Sequence, residues 1–206
     1  MRFYCMNGSR SGYLQDYRFD TRNKDESIED MFKDLFGQWG GHWISITADN
    51  AFPSVVLLEW CLQKQINFFG TARTTSGFSY ELLAKASSLH DRGDWDWMMA
   101  PSETDPSRSL LCCLWKDSGL VKFMSNCDEP TIDIVERRVR ATEPQQVPCP
   151  TIAKVYNETM GGTDGFDGAR GHFTSRRISK KWWHSLHYFV QDSAGINSFF
   201  RYQWQE

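Results

Sequence analysis

The sequence predicts an α/β fold, and three observations carry that prediction. Strand-like and helix-like runs alternate in the first third of the chain: HWISITADN, then SVVLLEWCLQKQ, then INFFGTAR. That order at short spacing favours a crossover between parallel strands. Further on, SLLCCLWKD and LVKFMSN flank Ser118–Gly119 as two alternating runs, the pattern of a β-hairpin. Composition agrees, since 206 residues with 40% hydrophobic and 24% charged side chains describe one folded domain, alone or with an elaboration. Disorder, a collagen-like repeat and a disulfide-stapled miniature are excluded.

The elements follow in order. Residues 2–6 (RFYCM) and 12–19 (GYLQDYRF) read as two strands joined across the turn-rich Asn7–Gly8–Ser9. A charged stretch from Asp20 to Asp30 leads into the helix SIEDMFKDLFG, with Ile28, Met31, Phe32 and Leu35 at helical spacing and Gly37 as its stop. HWISITADN reads as a buried strand ending at Thr47–Asp49. Pro53 opens the next helix, with Val56, Leu57, Trp60 and Cys61 on one face. From about Ser76 the texture changes to a helix (SYELLAKASSLH), a strand (WDWMMAP) and the hairpin. Thr142 to Pro150 holds three of the 7 prolines and reads as a linker. Two helices around Gly161–Gly162 come next, PTIAKVYNETM and TDGFDGARGHF. A long amphipathic helix from about Ser179 closes the chain, with Trp182, Leu186, Phe189, Val190, Ser193, Asn197 and Phe200 on one side. The expected divisions are 1–75, an inserted strand-rich subregion at 76–148, 149–172 and 173–206.

Net charge is −3 and the pI about 6.0, so a nucleic-acid partner needs a local basic patch rather than a global field. No apolar run reaches the ~18 residues of a membrane span, and the N-terminus has no signal-like apolar core. The expectation is a soluble intracellular protein with no membrane partner. The 6 cysteines form no CxxC pair and no zinc spacing, so they read as reduced and mostly buried. Aromatic content of 15% leaves two uses open, a core filling and a binding face.

Three carboxylates stand out by position. Asp49 sits where a strand gives way to a loop, the place where α/β folds hold ligands. Asp164 and Asp167, three apart, share a face if their stretch is helical. Converging carboxylates are what Mg²⁺ needs for phosphoryl chemistry. The plainer alternative is that Asp49 caps the following helix and the other two are solvated. A second constellation is basic: Arg170, Arg176, Arg177, Lys180 and Lys181, interleaved with His172, Phe173, Trp182 and Trp183. Cations beside aromatic rings suit a phosphate backbone with stacked bases. The alternative there is a solvated helix start whose tryptophans face the core.

YNETMGGTDGFDGARGHFTSRRISKKWW, followed by AGINSFFRYQ, resembles the end of the catalytic core of piggyBac-type transposases. ITADNAFPSVVLLEWCLQ resembles that family's Asp-Asn-x-Phe stretch and helix, FFGTARTT its Gly-Thr-x-Arg strand, and LLCCLWKDSGLVKFMSN its inserted hairpin region. The resemblance covers essentially the whole chain, and Met-Gly-Gly-x-Asp-x-x-Asp is its most specific element. It implies a ribonuclease-H-like (integrase-type) mixed sheet with helices on both faces, a β-rich insertion and a C-terminal helical segment. Residues 1–75 and 149–172 then belong to the catalytic core, and 173–206 to a dimerisation and DNA-binding segment. By residue match Asp49, Asp164 and Asp167 take the family's second, third and additional Asp positions, with Asp49 and Asp164 as Mg²⁺ ligands and no zinc. Arg170, Arg176, Arg177, Lys180, Lys181 and Trp182 fall in the DNA-contact segment. TTAA target sites, homodimerisation and a nuclear location are implied alongside.

The departures set the expected activity. The family's first Asp, on the first strand of its fold, has no counterpart in these residues, and Asp16 and Asp20 do not match it. Thr163 replaces the family's Val. A divalent site one carboxylate short holds its ions poorly. The expectation is therefore a truncated or domesticated core without transposase activity that retains DNA binding. Two alternatives remain at this point: part of an active DDE/D cut-and-paste transposase, and a protein-interaction module that binds no DNA.

Overall fold

The computed structural model describes residues 3–20, 26–138 and 143–204. In chain order its strands are β1 (Phe3–Asn7), β2 (Leu14–Phe19), β3 (Ser45–Ala48), β4 (Asn67–Thr71), β5 (Trp95–Pro101), β6 (Ser109–Lys116), β7 (Leu120–Ser125), β8 (Ile132–Arg137) and β9 (Gln145–Pro150). The helices are α1 (Ile28–Phe36), α2 (Val55–Gln63), α3 (Tyr80–Ala84), α4 (Thr151–Thr159), α5 (Gly161–Phe173) and α6 (Trp182–Gln203). Short 3-10 turns follow α1 at Gly37–Trp39 and α3 at Lys85–Ser88. The chain divides into two compact units, residues 36–157 and residues 1–35 with 158–206.

The 36–157 unit is built on a five-stranded mixed sheet of order β3-β4-β7-β6-β5. The predicted crossover is present: β3 and β4 pair in parallel, Ser45 opposite Asn67 through Ala48 opposite Gly70, with α2 between them in sequence. Gly70 is required there, because a Cβ would lie 2.1 Å from the Ala48 carbonyl oxygen. The β6–β7 hairpin turns at Ser118–Gly119 as read, and β7 joins β4 antiparallel, so one sheet runs past residue 75 without a break. Side-chain alternation gives the sheet two apolar faces. Phe69, Leu111, Cys113, Trp115 and Phe123 pack with Ile152, Ala153 and Tyr156 of α4. The opposite face carries Phe68, Leu114 and Met124, fully buried, on the side of α2 and α3. Asn126 fastens this join. Its amide donates to the carbonyls of Leu58 (3.2 Å) and Ile66 (3.0 Å), and its Oδ1 accepts the Phe68 N–H at 2.8 Å.

Three readings of this unit are corrected. Residues 145–150 are not a linker but strand β9, paired antiparallel with β8. Pro148 and Pro150 are tolerated because this two-stranded ribbon has edges that need no ladder N–H. Thr142 lies outside the described residues. The buried face of α2 is Leu57, Leu58, Cys61 and Leu62, while Val56 is 55% exposed. HWISITADN is only partly buried, with Ile46 inward. The ribbon is held to the sheet by Trp115, whose indole N–H donates to the Pro148 carbonyl at 3.0 Å. Arg137 lies over the Trp115 ring, 5.6 Å from its centroid, and pairs with Asp117.

In the other unit β1 and β2 form an antiparallel hairpin, Phe3 opposite Phe19, with an irregularity at Met6/Asn7. Arg18 of β2 pairs with Glu26 and, at 2.6 Å, with Asp34 of α1. Helix α1 begins with a reciprocal cap: Ser27 Oγ accepts the Asp30 N–H at 3.1 Å while Asp30 accepts the Ser27 N–H at 3.2 Å. Its predicted apolar stripe is real, with Met31, Phe32 and Leu35 buried. The hairpin packs on α5 and α6 through Leu14, Phe166, Phe189 and Ile196. The Phe3 and Phe189 rings stack at 3.9 Å, and Asn197 exchanges two 2.9 Å hydrogen bonds with the backbone of Leu14. Helix α6 starts at Trp182 rather than Ser179. Its buried positions are Phe189, Asp192, Ser193 and Ile196, and Trp182 and Val190 face solvent.

Candidate nucleic-acid interface

Asp49 lies directly after β3, in the 36–157 unit, and is exposed. Its Oδ1 accepts the Ala51 N–H at 3.1 Å and its carbonyl the Phe52 N–H at 3.3 Å, so it heads a turn. It does not cap α2. That role belongs to Ser54, whose hydroxyl accepts the Leu57 N–H at 3.2 Å. Beside it, Asn50 accepts a weak 3.4 Å bond from Arg73, which follows β4. The carboxyl ends of two parallel strands thus bring Asp49, Asn50 and Arg73 into one loop cluster.

Asp164 and Asp167 belong to the other unit. Their stretch is helical, so both stand on α5, and both are exposed. The Gly-Gly-Thr that precedes Asp164 has a packing reason. A Cβ on Gly162 would lie 2.5 Å from the Gly8 carbonyl oxygen, so only glycine lets α5 meet the β1–β2 turn. Thr163 Oγ1 then donates to Asn7 Oδ1 at 3.1 Å, while the Asn7 amide donates to the Gly12 carbonyl at 3.0 Å. Asp167 pairs with Arg170 at 3.2 Å, and the Arg170 guanidinium also lies 5.0 Å from the Phe189 ring centroid. Nearby, burial, with a smaller push from Asp167, raises the Cys5 thiol to about 12, so it stays protonated. Among the described residues no group of three or more His, Cys, Asp or Glu is gathered as a metal ion requires. Asp49 belongs to the 36–157 unit and Asp164 and Asp167 to the other, so within neither unit do the described carboxylates alone complete an ion's ligand set.

The basic run is the most exposed feature of this unit. Residues 174–180 form neither helix nor strand, and every residue from His172 to Trp183 is exposed. This strap is anchored at its start. Asp192 of α6, 7% exposed, accepts Thr174 Oγ1 at 2.6 Å, Ser175 Oγ at 2.7 Å and the Ser175 N–H at 2.8 Å. Burial pushes the Asp192 carboxyl up, but those hydrogen bonds outweigh it and hold the group below the usual carboxylate range. At the far end Lys181 precedes the first turn of α6 and its ammonium lies 5.8 Å from the Trp183 ring centroid. Beyond the Asp192 anchor, Arg176, Arg177, Lys180 and Lys181 carry four positive charges with no carboxylate among them in sequence. Among the described residues none of the four is ion-paired. Trp182 is 67% exposed beside them, and a cleft of about 370 Å³ lined by Phe173, Ser175, Asp192, Ile196 and Phe199 opens at the strap's start.

The sequence places the cations and Trp182 together, and they are together. Arg170 is different, being engaged with Asp167 and Phe189. The Asp192 anchor is not visible as a contact in the sequence, because its partners lie 17 and 18 residues away. Its signal is a carboxylate three residues after Phe189 and four before Ile196, on the buried side of α6.

Comparison with known proteins matches residues 9–199 to the family model described as Transposase IS4. The human PiggyBac transposable element-derived protein 2 is 28% identical over 154 residues, which is 73% of this chain and 25% of that protein. A cryo-EM structure of a piggyBac transposase synaptic complex with hairpin DNA superposes with a TM-score of 0.75 at 24% identity, over 98% of this chain and 40% of that one. The chain therefore spans about a quarter of the curated relative's length, and the structural likeness shows the fold, an α/β core of the ribonuclease-H-like kind. With the family model matching nearly the whole chain, the protein belongs to the Transposase IS4 family and is of the piggyBac type.

Proposed function

We propose that this chain is a DNA-binding member of its family, gripping duplex DNA through the strap at Arg176, Arg177, Lys180 and Lys181 with Trp182 beside it. The observation that supports it most is the strap itself: four cations with no carboxylate partner among the described residues, on an exposed stretch tied by Asp192 at Thr174 and Ser175, in a molecule of net charge −3. Anchoring matters because an ordered strap loses less conformational freedom on binding. Arg170, already paired, takes the lesser share. The family pattern assigns Asp49, Asp164 and Asp167 to its carboxylate positions, with Asp49 and Asp164 toward Mg²⁺. The proposal gives this 206-residue chain no strand cleavage of its own, since the family's first Asp position has no match among these residues. TTAA-containing duplex, a nuclear setting and pairing of two copies through residues 173–206 complete the reading. For that pairing, exposed Phe199 and Trp204 on and beside α6 offer apolar surface. No helix among the described residues is long and apolar enough to cross a membrane.

The test is a titration of TTAA and scrambled duplexes by fluorescence anisotropy between 50 and 200 mM salt. Each neutralised phosphate contributes about 0.9 to the salt slope, so replacing all four cations by alanine lowers the slope by up to about 3.6 and weakens binding. Affinity that is independent of salt, or unchanged in the quadruple variant, overturns the proposal and favours a protein-interaction module.

A further inference from the structure

We propose that Ser179 is a phosphorylation site for an arginine-directed serine kinase, and that its phosphate halves the strap's positive charge. The sequence around it is Arg176-Arg177-Ile178-Ser179, two guanidinium groups three and two residues before a serine. Kinases that choose substrates by charge hold carboxylates at those two positions, where Arg makes bidentate pairs. Arg-Arg-x-Ser or Arg-Arg-x-Thr occurs once in the 206 residues.

The structure presents that motif in the form a kinase cleft takes. Residues 174–180 lie outside helices and strands, and Ile178 is fully exposed, so the backbone is open on both sides of the serine. Ser179 Oγ accepts the Lys181 N–H at 3.1 Å, which leaves its own O–H free to be given up. Competing serines are less suited. The Ser175 hydroxyl and N–H are both engaged by Asp192, and a phosphate there would face that carboxylate. Ser76 has a single arginine three residues before it, Arg73, and is half-buried with its N–H and carbonyl hydrogen-bonded to Arg73 and Val55.

In the transfer, Ser179 Oγ bonds to the γ-phosphorus of Mg·ATP while the bond from that phosphorus to the bridging oxygen of ADP breaks. The hydroxyl proton passes to the kinase's carboxylate base, and ADP leaves. The product carries a charge of about −1.5 to −2. It sits three residues before Trp182, where the unpaired backbone N–H groups at the start of α6 favour an anion. The strap's four positive charges become about two in sum. The consequence for binding rests on the DNA reading above, whereas the modification does not. With two fewer effective charges the salt slope falls by about 1.8, which at 0.15 M salt is a loss of about 30-fold in DNA affinity.

The experiment incubates the full chain with Mg·ATP and the catalytic subunit of an arginine-directed serine kinase, and maps the product by mass spectrometry. One phosphate at Ser179 is expected, with none at that position in Ser179→Ala and a much slower reaction in the Arg176→Ala/Arg177→Ala variant. Modified, unmodified and phosphatase-treated protein are then titrated with duplex DNA across the salt range. No phosphate at Ser179, or equal phosphorylation without the two arginines, overturns the site. A phosphorylated chain whose salt-dependent affinity equals that of the unmodified chain overturns the switch. A chain that takes the phosphate but binds no DNA in either form overturns the DNA reading and the switch together, and upholds the modification site.

Discussion

Replacing Asp192 by alanine tests whether the strap is anchored as described. The carboxylate accepts three hydrogen bonds, from Thr174 Oγ1, Ser175 Oγ and the Ser175 N–H, at 2.6 to 2.8 Å. Hydrogen bonds to a charged group are worth about 1.5–3 kcal/mol each. The three come from adjacent residues and are not additive, and their donors rehydrate once freed because Thr174 and Ser175 are exposed. The expected cost is therefore about 2–3 kcal/mol. It is local, so the readout is hydrogen exchange at the Ser175 amide, whose protection should fall roughly 30- to 160-fold. Asp192→Asn keeps the shape and one acceptor but loses the charge, and should give about half that energy. The pH dependence has a definite sign. The folded pKa is depressed, so the contribution is fully present above the ordinary Asp value near ~3.9 and is lost as pH falls through the lower folded value. Ser175 protection in Asp192→Ala within about twofold of the parent would refute the anchor.

Three further outcomes follow from the packing and the site. Gly162→Ala drives a Cβ to 2.5 Å from the Gly8 carbonyl, and should lower stability by about 1–3 kcal/mol in urea denaturation, whereas Gly168→Ala, which meets nothing within 4 Å, should not. The 206-residue chain alone should not nick a transposon-end duplex in Mg²⁺ or Mn²⁺; nicking that Asp49→Ala abolishes would sink this. Glu59 accepts from Ser102 Oγ and Thr104 Oγ1, both at 2.6 Å, and from the Glu103 N–H at 2.9 Å. Burial raises its pKa, but these bonds prevail and depress it, so the loop at Ser102–Thr104 should open to proteolysis only as pH falls below the ordinary Glu range, and at neutral pH in Glu59→Ala.

Much of the fold was legible because its signals are local. The crossover of β3, α2 and β4, the β6–β7 hairpin and the stripe of α1 each follow from periodicity or turn chemistry within a dozen residues. What failed has a physical reason in each case. VVLLEWCLQ is apolar nearly all round, so periodicity could not tell Val56, outward, from Leu58, inward. Strand β8 was not read, because its outward positions are Ile132 and Ile134 while Asp133 reaches Lys154 at 2.5 Å, an inversion of the usual pattern. Its partner β9 reads as a linker in sequence on the strength of its prolines. In the candidate site the cations were visible as composition. The anchor was not, since the contact of Asp192 with Thr174 and Ser175 spans 17 to 18 residues of chain.

The Asn126 clasp also bears on how the sheet comes together in time. Strands β5, β6 and β7 form a meander of neighbours, whose pairings close short loops and form early. The β4–β7 pairing is different, since the Phe68–Asn126 bond joins residues 58 positions apart. Closing that loop costs entropy before any apolar contact compensates, which makes this step slow. Asn126 therefore ties the parallel β3–β4 pair to the meander across a longer stretch of chain than the pairings within either part. A chain in which β4 and β7 have not yet met leaves both edges open to pairing with another.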